Sequence, residues 1–99
     1  MRREIYAIHP GEHLLEELQE RGASHADLAR ALMIPVSRVS EIVRGRRGIT
    51  ADTALRLGRW MGTGPEYWLR LQELYDLRVA EREHGAEIAK VKPWQDAAA

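Results

Sequence analysis

The residues able to do chemistry fall in two places. Near the start, His9-Pro10-Gly11-Glu12-His13 spells H-x-x-E-H, the inverted form of a zinc-peptidase motif. That chemistry needs both histidines on one face of a continuous helix, with a third ligand further on. Pro10 and Gly11 interrupt any helix through His9, and Pro10 suits a first helical turn. The stretch therefore reads as a capped helix start with His9 packed beside it, and a small metal-dependent hydrolase stays a remote alternative. The second place is a run of arginines, Arg38, Arg44, Arg46 and Arg47. Their planar guanidinium forks pair with phosphate oxygens and with guanine edges. No serine or threonine stands with a histidine and a carboxylate in a triad pattern. Gly45 and Gly48 flank arginines rather than forming a phosphate loop. The residues point to binding rather than catalysis: no catalytic residue, cofactor or metal is assigned.

Two short helices must position those arginines, within Ser24 to Gly48. Ser24 can cap the first, and Asp27 three residues on completes a capping box. Leu28, Ala29 and Leu32 share one face at helical spacing. Met33-Ile34-Pro35 breaks the helix, because a residue before proline disfavours the α region. Pro35 suits the first turn of the second helix, and Gly45 its C′ stop. Val39, Ile42 and Val43 turn inward. Ser37, Glu41 and Arg44 lie opposite, with Arg38 and Ser40 on the flanks. A polar-faced short helix crossing another at a small residue, Ala29, is the pattern of a helix-turn-helix entering a DNA major groove.

Charge distribution supports this reading. The 99 residues carry no net charge, yet residues 35–59 hold six arginines against only Glu41 and Asp52. Residues 10–34 and 60–84 are acidic. Local sign, not the total, governs contact with phosphates. The absence of cysteine excludes disulfides and thiolate metal sites and fits a reducing, cytoplasmic setting. No apolar run approaches the ~20 residues of a membrane span.

The flanking pattern is helical throughout. Gly11 to Arg21 forms a first helix with Leu14, Leu15 and Leu18 inward. Thr50 caps a fourth helix with Ala54, Leu55, Leu57 and Met61 buried. Pro65 to about Glu83 forms a fifth, and a short helical turn over 87–92 follows Gly85. Tyr67, Trp68, Leu71, Leu74, Tyr75 and Val79 cover an arc wider than one packing stripe. A second copy of the chain is the expected cover, placing Trp68, Leu71, Tyr75 and Val79 at a twofold interface.

Together, His9-Pro10-Gly11-Glu12, the helix-turn-helix, Ile49-Thr50 with Ala54-Leu55-Arg56-Leu57, and Trp68-Leu69 with Leu71-Gln72 and Tyr75-Asp76-Leu77 resemble the HigA antitoxins of bacterial toxin–antitoxin modules. The resemblance covers about residues 8 to 92. It implies an all-α, five-helix λ-repressor-like domain with a C-terminal extension, assembled as a homodimer. It also implies repression of its own operon at a palindromic operator. The implied partner is a small basic toxin, an mRNA endonuclease of the HigB type. The expected divisions are an arm over 1–9, a domain over 10–84 and a tail over 85–99. Met33 stands where many relatives have glycine. Val36 and Pro35 stand where base-reading polar residues are common, which moves the expected base readout to Ser37, Arg38, Ser40 and Glu41, while Arg44, Arg46 and Arg47, clustered where the helix would leave the groove, are the expected phosphate contacts. The rival within binding proteins is a stand-alone regulator without a toxin.

Overall fold

The computed structural model describes residues 6–95. The first five residues of the expected arm and the last four of the tail lie outside it. Among the described residues there are five helices and no strand: α1 (Pro10–Arg21), α2 (His25–Leu32), α3 (Val36–Val43), α4 (Ala51–Met61) and α5 (Pro65–Ile88). The brief apolar alternation at Tyr6 to Ile8 forms no strand.

Each helix begins and ends for a local reason. His9 accepts the Gly11 N–H on its Nδ1 at 2.9 Å and so caps α1. Ser24 and Asp27 form the expected capping box on α2, at 3.0 and 2.9 Å. Thr50 caps α4 by accepting from the Thr53 N–H. At the ends of α1, α2 and α3, paired backbone bonds close a Schellman motif: Ala23 N–H to Leu18, Ile34 N–H to Ala29 and Arg46 N–H to Glu41. The left-handed position of that motif is Gly22 in α1, Gly45 in α3, and Met33, at φ 60°, in α2. A side chain there costs about 1–2 kcal/mol relative to glycine, so the turn forms despite its residue rather than because of it.

The core is built from one stripe per helix. Leu14 and Leu18 of α1 meet Leu28, Ala29 and Leu32 of α2, Val39 and Ile42 of α3, Ala54 and Leu57 of α4, and Trp68 of α5. Trp68 is wholly enclosed and is the largest side chain of the core. Full burial of each large apolar side chain contributes about 1.5–3 kcal/mol. Two close approaches set the geometry. A Cβ at Gly11 would overlap the Ile42 carbonyl oxygen, and one at Gly58 would overlap the Gly64 backbone. α1 therefore abuts the end of α3, and α4 turns tightly into α5.

Three expectations need correction. Leu15 and Leu55 face outward, 37% and 60% exposed. Each sits about 100° around its helix from the buried stripes Leu14/Leu18 and Ala54/Leu57/Gly58, so apolar character alone did not bring it inward. α5 does not stop near Glu83 but runs through Gly85 to Ile88, absorbing the first residues of the predicted extra turn. A glycine inside a helix costs only about 0.5–1 kcal/mol, too little to end one flanked by good helix formers. The boundary expected at 84/85 thus falls inside α5.

Two glycine substitutions should move stability in opposite directions. Gly11→Ala should lower it by about 1–3 kcal/mol, because the methyl forces α1 off α3. Gly85→Ala, with open space around its Cβ, should raise it by about 0.5–1 kcal/mol. Urea unfolding of each variant by circular dichroism checks both signs.

Candidate nucleic-acid interface

α3 presents its outer surface because Val39 and Ile42, on its other side, are buried. Val36 and Ser37 are exposed at its first turn. Arg38 is directed sideways: its Nη1 donates to Asp52 Oδ2 on α4 at 3.0 Å. The same carboxylate accepts from Arg56 Nε at 3.0 Å. Arg56, followed by Arg38, holds Asp52 below the usual carboxylate range. Arg56 also donates to the Leu32 carbonyl at 2.8 Å and the Met33 carbonyl at 3.3 Å, closing the end of α2. Ser40 Oγ lies 3.1 Å from His25 Nδ1 on α2. Glu41 accepts from Arg47 at 2.9–3.0 Å.

Arg44 and Arg46 differ from these. Both are exposed, and neither has an ion pair or side-chain hydrogen bond among the described residues. They lie on the turn that leaves α3, where Gly45 takes φ 74°. Two of the unpaired cations of the basic stretch thus stand at the end of the helix, while Arg47 pairs with Glu41 and Arg38 shares Asp52 with Arg56. Asp52 and Arg56 were absent from the expected contact set. Their four-residue spacing on α4 is the signal that could have flagged them as a pair.

The turn itself is anchored from behind. The His9 ring packs edge-on against Tyr75 of α5, with centroids 4.9 Å apart. Gln72 of α5 accepts the Ile49 N–H at 2.7 Å and donates to Asp76 at 2.9 Å. His9 lies outside α1 with Nδ1 engaged, which removes it from the helical face that the H-x-x-E-H reading required.

The expected interface residues on α5 separate. Trp68 belongs to the core of its own chain, so it offers no surface to a second copy. Leu71, Tyr75 and Val79 are half-buried, while Tyr67, Leu69, Leu74 and Leu77 stand exposed. The correction follows from α4: its close turn at Gly58 brings the first turns of α5 onto the core, and Trp68 is the residue that points there.

These features define a helix-turn-helix protein. The helix-turn-helix family matches residues 14–68. Virulence-associated protein I of Dichelobacter nodosus is 54% identical over 81 residues, which is 81% of this chain and 75% of that protein. An addiction module antidote protein of a HigA family from Coxiella burnetii is 49% identical, with a TM-score of 0.85, over 89% of this chain and 98% of that one. Pseudomonas aeruginosa antitoxin HigA, solved with the higBA promoter, is 43% identical, with a TM-score of 0.86, over 91% of this chain and 100% of that one. The chain belongs to the HigA family of helix-turn-helix proteins.

His9 makes this arrangement sensitive to acid. Burial holds its pKa below the ordinary 6.5, against opposing pulls from Glu12, Asp76 and the Arg47 backbone. The unfolded chain therefore takes up the proton first. Stability is full above pH 6.5 and declines as pH falls through that value toward the lowered folded pKa. His9→Asn keeps a capping side chain without the titration. Its unfolding midpoint should change less between pH 7.5 and pH 5.5 than that of the unaltered chain, as measured in urea.

Proposed function

We propose that this chain is a DNA-binding antitoxin that represses its own operon and neutralises a small basic toxin of the HigB type. The observation that carries the DNA reading is the uncompensated pair Arg44 and Arg46, set just beyond an exposed α3. A helix in the major groove places such residues at the flanking phosphates. The proposed contact set is Ser37, Arg38, Ser40 and Glu41 on α3, with Arg44, Arg46 and Arg47 after it. The toxin reading is supported by family membership and by the relatives' names as antitoxin and antidote. A binder rather than an enzyme, in the cytoplasm, accompanies this reading. Among the described residues no helix is long and apolar enough to cross a membrane.

We infer a twofold homodimer through α5. The exposed Tyr67, Leu69, Leu74 and Leu77 adjoin Leu71 and Val79 on a helix roughly 36 Å long, of which only Trp68 is fully buried. Two such copies would present their recognition helices to half-sites about 10 base pairs apart, or a multiple of that, on a pseudo-palindrome. The protein encoded beside this gene should be small and basic and should co-purify with the chain; its absence would favour a stand-alone regulator.

Two measurements test the DNA and dimer readings. Light scattering at micromolar concentration should report twice the 11.3 kDa chain mass; a monomer mass persisting at low salt overturns the dimer. Arg44→Ala and Arg46→Ala should weaken binding to operator and scrambled duplexes alike. Each should flatten the slope of log affinity against log salt by about one for every phosphate that the altered dimer no longer neutralises. Unchanged slopes in both variants would remove this turn from the DNA face.

A further inference from the structure

We propose that Val36 is a specificity-determining residue, and that it reads the 5-methyl group of a thymine in the major groove. This rests on the DNA-binding reading above. The polar side chains around α3 are already engaged within the chain: Arg38 with Asp52, Ser40 with His25 and Glu41 with Arg47. To meet a base edge, each would have to give up or share a partner. Val36 and Ser37 are the exposed side chains of the first α3 turn without such a commitment.

Their place on the helix matters. The N-terminal turn of a recognition helix penetrates the groove most deeply. Val36 is its first residue, directly after Pro35, and no side chain caps that turn. The β-branched side chain is 48% exposed, and its stem is stiff, so its two methyl groups hold a fixed direction. One exposed valine on a surface is ordinary. This one stands at the groove-entering end of a helix whose other outward residues are polar.

The base edges offer such a side chain one match. In the major groove only thymine presents a methyl group; the other edges present donors and acceptors. A valine forms no hydrogen bond, so against cytosine it would cover the N4 amine without accepting from it. Methyl contact and the penalty for a covered donor both favour thymine. Arg38, held to Asp52 on α4, reaches DNA only by sharing that partner, whereas Val36 meets a base edge without giving up any contact.

The test uses the full chain and a duplex that it enriches from a random DNA library. Each thymine is replaced in turn by uracil, symmetrically in both half-sites, which removes the methyl and preserves pairing. For the unaltered chain, one replacement should weaken binding about fourfold per half-site, the effect of withdrawing one methyl from apolar contact. Val36→Ala should bind the parent duplex more weakly and be indifferent to that same replacement. Circular dichroism of Val36→Ala verifies its fold, which the exposed position should leave intact. If every uracil duplex binds as tightly as the parent, or if Val36→Ala keeps the uracil penalty, the proposal is overturned while DNA binding stands. If no duplex is enriched, the DNA-binding reading fails and the proposal fails with it.

Discussion

Two helix ends meet without room for a methyl group, and the interface depends on that contact. The start of α1 presses Gly11 against the Ile42 carbonyl near the end of α3. Amides at a helix start carry partial positive charge and carbonyls at a helix end partial negative charge, so the two poles attract. His9 secures the α1 end by taking the Gly11 N–H, and the backbone bonds of Gly45 and Arg46 close the α3 end. With both termini fixed, α3 cannot slide along its axis without displacing α1. The direction in which Arg44 and Arg46 leave the helix is set by the same contact.

α5 extends this constraint to assembly. Its body-facing edge supplies Trp68 to the core, Gln72 to the Ile49 N–H and Tyr75 to the His9 ring. Its other faces carry exposed leucines. One helix therefore holds the arginine turn from behind and leaves apolar surface exposed on its other faces. In the proposed dimer, such an element would couple the spacing of two recognition helices to the local conformation of each turn.

The sequence shows most of this architecture because its punctuation is chemically explicit. Ser24 with Asp27, Thr50, Gly22, Gly62 and Pro65 mark helix ends through hydrogen bonds or backbone angles that those residue types favour. Regular spacing identified the stripes of α2 and α3. It failed at Leu15, Leu55 and Trp68, where apolar character is clear but direction depends on how neighbouring helices cross. Side-chain commitment was also out of reach. The sequence shows that Arg38 and Asp52 are fourteen residues apart; only the α3–α4 crossing makes them partners. Val36 offers the sequence no polar group to flag it, and the engagement of its polar neighbours is a tertiary fact.

These internal ion pairs also bear on how a chain of zero net charge can address DNA. Exposed pairs add little to folding stability, but they fix where a guanidinium points and remove its charge from the local field. Asp52 and Glu41 thereby withdraw Arg38 and Arg47 from the pool of free cations, leaving Arg44 and Arg46 at the end of α3. A reader surrounded by mobile, unpaired arginines would hold every sequence strongly. Arg44 and Arg46 stand unpaired on the turn, while the tip of α3 carries an uncharged valine and serine. On the proposed DNA reading, attraction to phosphate and discrimination among bases fall to different residues at the two ends of one short helix, so the salt dependence of binding and its dependence on base identity can be changed separately.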